Sequence, residues 1–348
     1  MTTPKRQHWV PRFYLRQFLV PDANPKLEQV WVFNRKSGEP KLTGIKNIAL
    51  ENHLYSPKHP DGSRDPRLEM KLSDLEGTLA KLWPQLANGF VDLGSTAIRQ
   101  SIALFLSVQF LRHPDRRDSA VEFRNRLIEF VEKQPYNSDR CPDIRQLKIG
   151  SRVYSIDASA WPNYRDAGDD LSVTMWRKMI EQDATLHAKM LMNKRWSIVF
   201  IDEPLFVTSD YPIFVPQPEF ARQQIGGKNA MILFPISPTR ILCFDDLDEP
   251  ANQYYPIANS NADVYNMLTW VNTESFMISS RTIDGTQASK LVVRITISRG
   301  SGALTFRNVT CRYWVTMVVI CLIHFLPGVS LSDRTKSQSS RDARWRFQ

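Results

Sequence analysis

The sequence predicts an α+β fold: a mostly helical single domain that carries a small antiparallel sheet. Apolar residues recur at helical spacing through residues 68–86 and 95–112, and the stretches 118–133 and 170–194 extend this helical pattern. After residue 195 the pattern changes to short runs of Val, Ile and aromatic residues, which are typical of strands. We therefore expect the sheet between residues 196 and 244, with residues 29–33 as a further candidate strand.

The first helix is expected to begin at Pro11, because proline suits the first helical turn, where its missing N–H would be unpaired anyway. In such a helix Arg12 and Arg16 would share a face, four residues apart. Two like charges at this spacing repel, so they need an anionic counterpart, either acidic side chains of the fold or an anionic ligand. His8 precedes the helix, where it is either a hydrogen-bonded structural residue or a catalytic base.

The other elements follow from the same patterns, in chain order. We expect a strand at 29–33 and a hairpin turn at 35–38 that leads into 40–45. The polar, irregular stretch 134–169 favours a lid or insertion. Two hairpins are expected later, one pairing 196–201 with 205–208 and one pairing 231–234 with 240–244. A last helix is capped by Asn259 or Ser260 and runs to Val271.

The helix at 95–112 is apolar nearly all round, which predicts a buried position. It nevertheless carries Gln109 and Arg112 near its end, and buried polar groups must find partners inside the protein. Glu69 and Glu76, which share a face of helix 68–86, are the expected partners. We also expect these four residues to meet the opening segment 8–18.

Composition and charge narrow the class of protein. With 42% hydrophobic and 11% aromatic residues, the chain can bury a core. The formal net charge is +9, but residues 286–348 hold ten basic and two acidic residues, which leaves residues 1–285 at +1. That balance does not support nucleic-acid binding. The local excess of positive charge lies in residues 1–46, with nine basic and three acidic residues.

The four cysteines match neither a disulfide framework nor a zinc pattern. No signal peptide is indicated. Both observations favour a cytoplasmic protein.

Residues 286–348 differ in composition from the rest and are expected to lie outside the domain, which would span residues 1–285. Residues 314–331 are mostly apolar, but His324 and Pro327 interrupt them and basic residues follow. One hypothesis is a membrane anchor, for which the run is marginal in length. The other is a tail not native to the domain, such as a translated intron or a shifted frame. Membrane contact is expected only through residues 314–331.

Sequence motifs for phosphate loops, zinc proteases and serine hydrolases are absent, so the candidate sites depend on scattered polar residues. The candidates for catalysis are His8 and Asp210. The candidates for ligand binding are Arg12, Arg16, Tyr14, Gln109 and Arg112. Asp210 either forms an Asx-type turn before Pro212 or acts as a base or metal ligand. Together with Glu51 and Glu69 it would offer an oxygen-rich site for a divalent metal; no other cofactor is expected.

The pattern His8-x-Val10-Pro11-x-x-Tyr14-Leu15-x-x-Phe18 resembles the opening of domain-of-unknown-function family 4238, found in bacteria and fungi. Three later stretches resemble the same family in order: Ala49-x-Glu51 with Tyr55, the Glu69 and Glu76 helix followed by the Gln109 and Arg112 helix, and Thr208-Ser209-Asp210-Tyr211-Pro212 followed by Phe234-Pro235-Ile236-Ser237-Pro238. The resemblance covers about residues 7–285. It departs at Tyr211 and Ile236, where Asn and Leu are expected. It implies a shared domain and no particular chemistry.

Three functional hypotheses remain open. In the first, the protein binds an anionic ligand or partner through segment 8–18, with Arg12 and Arg16 supplying the charge. In the second, Glu51, Glu69 and Asp210 hold a divalent metal for phosphodiester hydrolysis, as in a phosphodiesterase or nuclease. In the third, the motif residues form a buried polar network that only stabilises the fold.

Overall fold

The computed structural model of the protein describes residues 5–21, 23–58, 61–137, 146–149, 152–155, 160–216 and 225–283. The tail 286–348, with its apolar run 314–331, lies outside these residues, as does the domain boundary expected at residue 285. Parts of the expected lid, 134–169, also lie outside them. The expectations about these segments therefore stay predictions.

Strands and helices alternate irregularly along the chain. The strands are β1 Arg6–His8, β2 Gln29–Asn34, β3 Pro40–Gly44, β4 Leu50–Asn52, β5 Gln146–Ile149, β6 Arg152–Ser155, β7 Arg195–Phe200, β8 Thr208–Ser209, β9 Ile232–Ser237, β10 Arg240–Asp245, β11 Gln253–Pro256 and β12 Phe276–Ser279. The helices are α1 Arg12–Leu15, α2 Arg67–Asn88, α3 Thr96–Leu111, α4 Pro114–Glu132, α5 Trp161–Asp166, α6 Gly168–Met192 and α7 Ala262–Asn272. The predicted α+β class is confirmed.

The chain divides into two compact units. The first consists of the described residues within 1–15, 45–85 and 95–193, and the second of those within 16–44, 86–94 and 194–283. The described strands form two two-stranded sheets in the first unit and two four-stranded sheets in the second. The finer expectation, one mostly helical domain with one small sheet, is therefore not confirmed.

In the first unit, α3 is the central helix. Nine of its residues from Ile102 to Leu111 are buried, and it packs against α6, which in turn contacts α4. Trp83 of α2 meets Phe13 and Phe105 at ring-centroid distances of 5.3 Å each, and meets Tyr14 edge-on at 5.8 Å. This aromatic cluster fixes the opening segment against the core, and the prediction of a buried helix at 95–112 is confirmed.

The expected helix from Pro11 through Phe18 is shorter than predicted. Only Arg12–Leu15 is α-helical, and the chain changes to a 3₁₀ turn at Arg16–Phe18. The N–H of Leu15 donates to the carbonyl of Pro11 at 3.0 Å, so Pro11 does start the helix as expected. The change of helix type ends the i, i+4 relationship assumed for Arg12 and Arg16, since a 3₁₀ helix has three residues per turn.

In the second unit the sheet orders are β11-β7-β10-β9 and β3-β2-β12-β8. The β9–β10 hairpin and the β2–β3 pair are confirmed. The hairpin expected from 196–201 and 205–208 is wrong, because β7 pairs with β10 and β11, whereas β8 pairs with β12. The N–H groups of Ile201 and Phe206, on either side of the supposed turn, donate to the carbonyls of Thr239 and Pro238. The β9–β10 hairpin, which is distant in the sequence, therefore binds the backbone on both sides of the supposed turn.

Each sheet of the second unit contributes to an apolar cluster, with Val199 and Ile241 from one sheet and Phe33 and Met277 from the other. Trp196 and Phe244, paired across β7 and β10, meet edge-on at a centroid distance of 4.6 Å. Phe206 and Tyr265 of α7 meet in the same way at 5.6 Å. Among the described residues, no helix is long and apolar enough to cross a membrane.

Candidate functional site

The opening segment is held first by its own strand. β1 pairs antiparallel with β4, so Gln7 lies opposite Glu51 and His8 opposite Leu50. The buried amide of Gln7 uses both ends, since Nε2 donates to the hydroxyl of Ser56 at 2.7 Å and Oε1 accepts from the N–H of Tyr55 at 2.6 Å. These bonds fix the position of His8 at the end of the strand.

The carbonyl of Trp9 is the point where the opening segment meets α3. It accepts from Nε2 of Gln109 at 2.8 Å and from Nε of Arg112 at 2.7 Å. Arg112 Nε also donates to Oε1 of Gln109 at 3.1 Å. The expectation that Gln109 and Arg112 meet the opening segment is confirmed. Both side chains contact protein groups at this point, and Arg112 is 1% exposed.

Arg112 also makes the predicted ion pair with helix α2. Its Nη1 lies 2.7 Å from Oε1 of Glu76, which is half-buried. Glu69, two turns earlier on α2, has a pKa raised to about 7 by burial and by repulsion from Glu76, partly offset by the charge of Arg112. Near neutral pH, Glu69 therefore holds its proton far more readily than an ordinary glutamate.

His8 lies in a strongly positive environment. Burial lowers its pKa to about 4, a hydrogen bond with the backbone of Ile45 opposes that effect, and the charges of Arg12, Arg6 and Arg112 lower the pKa further. His8 is therefore neutral at pH 7. Considering the described residues alone, Nε2 of His8 and Nη2 of Arg112 are buried atoms without a hydrogen-bond partner.

Four exposed cations lie on or next to β1, on α1 and on the turn that α1 contacts, and we call them the basic edge: Lys5, Arg6, Arg12 and Lys46. The charges of Arg6 and Arg12 act on His8. Nη2 of Arg6 donates to Oδ1 of Asn47 at 3.0 Å, and α1 contacts the 3₁₀ turn Ile45–Asn47, which brings Lys46 to the same part of the unit. Residues 5–15 and 45–49 contain no Asp or Glu. Sequence reasoning missed Arg6 and Lys46 individually, although the net charge of residues 1–46 signalled them.

Arg16 and Tyr14 do not belong to the basic edge. Arg16 belongs to the second unit, where its Nε pairs with Oε1 of Glu28 at 2.6 Å. Tyr14 is completely buried in the first unit against Trp83. Of the residues proposed to supply charge and contact surface, Arg12 is the one that remains exposed beside His8.

Asp210, in the second unit, is fully buried and is occupied by backbone groups. Oδ1 accepts from the N–H of Glu274 at 3.1 Å and Oδ2 from the N–H of Ser275 at 2.7 Å. Burial raises its pKa to about 6, although these backbone hydrogen bonds oppose the rise. Ser209 contributes to the local turn, since its hydroxyl accepts from the N–H of Tyr211. Asp210 therefore anchors the start of β12.

Two of the three carboxylates proposed as metal ligands have other partners. Glu51 pairs with Nη1 of Arg117 at 2.7 Å, and Asp210 binds backbone N–H groups. Glu69 lies close enough to Glu76 and Arg112 for their charges to act on its pKa. In the part of the chain that the structure describes, no three His, Cys, Asp or Glu side chains form a group that could hold a metal ion. The metal hypothesis has no support from this geometry.

The chain matches a known protein family over most of its length. A family model described as "Protein of unknown function (DUF4238)" matches residues 6–282. The chain belongs to this family. The DUF4238 match contains the opening segment, Gln109 and Arg112 of α3, and Asp210. The resemblance seen in the sequence motifs is therefore confirmed. No curated protein and no solved structure matches the chain.

Proposed function

We propose that this DUF4238 protein binds an anionic ligand at the basic edge, with Arg6 and Arg12 contacting an oxyanion beside His8. The observation that carries the proposal is the exposure of Arg6 and Arg12 on β1 and α1, on segments that contain no acidic residue. Glu51, on the strand paired with β1, is ion-paired with Arg117. Exposed cations on segments without acids create a local positive potential, which attracts anions. The ligand would carry a sulfate, phosphate or carboxylate group.

Two buried side-chain atoms, one of His8 and one of Arg112, support the same position for the ligand. A buried donor or acceptor without a partner costs about 1–3 kcal/mol, and Nη2 of Arg112 and Nε2 of His8 are such atoms among the described residues. An anion near His8 would favour the protonated imidazole, whose Nε2 would then become a donor. Arg16 has no part in this proposal, because its guanidinium pairs with Glu28.

The test uses sulfate and phosphate as probes, titrated into the full chain by calorimetry. We expect saturable binding that weakens by about tenfold to a hundredfold in Arg12→Ala and in Arg6→Ala, as for the loss of a charge-assisted hydrogen bond of about 1.5–3 kcal/mol. Lys81→Ala is the matched control, because it removes one exposed positive charge from α2 in the same unit.

Absence of saturable binding would overturn the proposal. An equal loss in Lys81→Ala would do so too, because it would show attraction to net charge rather than to a defined site. Arg16→Ala should bind the probes as the wild-type protein does.

The metal-dependent phosphodiesterase and the purely structural network remain alternative proposals. A cytoplasmic location is likewise proposed, on the pattern of the cysteines; within the described residues, Cys243 is a buried free thiol.

A further inference from the structure

Helix α4 carries an apolar stripe that is open to solvent. Ala120, Phe123, Leu127 and Phe130 follow one another at spacings of three and four residues, which places them on one side of the helix. Phe123 is 48% exposed and Phe130 is 49% exposed. Two half-exposed phenylalanines on one helical stripe are the kind of surface that marks an interaction site.

The side of α4 next to the stripe is already used by its own unit. Arg124 is buried, and its Nη2 donates to the carbonyls of Tyr164 and Arg165 at 2.8 and 2.9 Å. Val131 is also completely buried. The stripe therefore borders the face that α4 packs into the first unit, and Phe123 and Phe130 extend that apolar face into solvent.

The charges beside the stripe alternate in sign along the helix. Glu122, Arg126, Glu129 and Lys133 are all exposed, and the helix pairs Arg126 with Glu122 and Lys133 with Glu129. If a second α4 is laid antiparallel about Leu127, Glu122 comes within about 1.5 Å of the axial level of the partner's Lys133, and Arg126 equally close to that of the partner's Glu129. A parallel arrangement would instead set like charges at the same level.

We propose that the stripe on α4 is the contact surface between two copies of this chain, packed antiparallel about a two-fold axis near Leu127. In this arrangement Phe123 packs against the partner's Phe130, and the alternating charges meet opposite charges. Such a contact is self-complementary and closes after two copies, as two-fold interfaces do. One helix pair buries less than the roughly 1,200 Å² typical of stable complexes, so the dimer is weak and depends on concentration.

The test is the mass of the full chain as a function of concentration, by sedimentation equilibrium. We expect the mass to rise from that of the 40.2 kDa chain towards twice that value. Phe123→Glu and Phe130→Glu should each weaken the association by at least about tenfold, because a buried, unpaired charge costs more than 1.4 kcal/mol. Leu186→Glu on α6, a leucine that is 49% exposed, is the matched control and should dimerise normally.

The antiparallel arrangement has its own test. Arg126→Glu and Glu129→Arg should each weaken self-association, because each places like charges together across the axis. An equimolar mixture of the two variants should restore it, because both cross-contacts then join opposite charges. The proposal would be overturned if the wild-type chain stayed monomeric at millimolar concentration. It would also be overturned if Leu186→Glu associated as weakly as the Phe variants, or if the mixture did not restore association. Far-UV circular dichroism confirms that each variant remains folded.

Discussion

Nε of Arg112 donates a hydrogen bond to the carbonyl oxygen of Trp9 over 2.7 Å, between residues 103 positions apart in the sequence. The same guanidinium pairs with Glu76 through Nη1. One buried side chain therefore joins the end of α3 to both α2 and the opening segment. Because the guanidinium is rigid and planar, it can hold these partners at fixed relative positions.

Replacing Arg112 by Met should destabilise the protein strongly. The substitution keeps much of the side-chain volume but leaves the half-buried Glu76 carboxylate without its cation and the Trp9 carbonyl with Gln109 as its remaining side-chain donor. Removing one partner of a buried ion pair costs about 3–5 kcal/mol. Urea denaturation measures the change, and Lys71→Met, which breaks an exposed pair with Glu181, should cost only about 0–1 kcal/mol. Equal effects of the two variants would contradict the role of Arg112.

Asp210→Asn should lower the free energy of unfolding by about 1–3 kcal/mol. The amide can accept through one oxygen, but its NH₂ group would face an N–H donor of the Glu274–Ser275 turn. Asp202→Asn, at an exposed position, is the control and should have little effect. If Asp210→Asn were as stable as the wild-type protein, the anchoring role of this carboxylate would be wrong.

Glu69→Gln should change how stability depends on pH. Because the folded-state pKa of Glu69 is raised from 4.5 to about 7, the folded protein holds this proton more tightly than the unfolded chain. The stability gained from the proton is complete below about pH 4.5 and is lost as the pH rises to about 7. Glutamine resembles the protonated acid. The variant should therefore exceed the wild-type stability at pH 8, by on the order of 1–2 kcal/mol.

At pH 4, Glu69→Gln and the wild-type protein should be nearly equally stable, because Glu69 is mostly protonated there in both the folded and the unfolded state. Thermal unfolding across the pH range checks both points, with the exposed Glu203→Gln as control. A wild-type advantage at pH 8 would contradict the raised pKa of Glu69.

Sulfate binding at the basic edge should strengthen as the pH falls from about 7 to about 5. A bound anion raises the low pKa of His8, so binding takes up a proton. Sulfate keeps its charge over this range, so a change in affinity reports on the protein. His8→Asn keeps a donor for the Ile45 backbone but cannot become charged, and its affinity should be nearly independent of pH. Calorimetry in buffers of different ionisation enthalpy measures the protons taken up.

Helices were predictable from the sequence, because the spacing of apolar residues that defines a helix face is local. The stretch predicted as 68–86 became α2, 95–112 became α3 and 170–194 became α6. The pairing of Arg112 with Glu76 was also predictable, since a cation at the end of an apolar helix must find an acid inside the protein.

Strand partners were harder, because a strand gains its hydrogen bonds from whichever chain segment lies beside it. The sequence around Pro204 is compatible with a hairpin turn, yet the flanking N–H groups bind the distant β9–β10 hairpin. In the same way, Asp210 before a proline suits either a turn or a ligand site. Only the approach of the Glu274–Ser275 backbone decides that its oxygens are already occupied.

The amino-acid sequence by itself determined the α+β class, the family, the buried helix α3 and the basic character of the opening segment. The tertiary structure decided where the two opening arginines lie, although both are exposed. Arg12 stays beside His8, whereas Arg16 pairs with Glu28 after the chain leaves the α-helix. The physical reason is that periodicity and charge count depend on neighbours along the chain, whereas burial and pairing depend on neighbours in space.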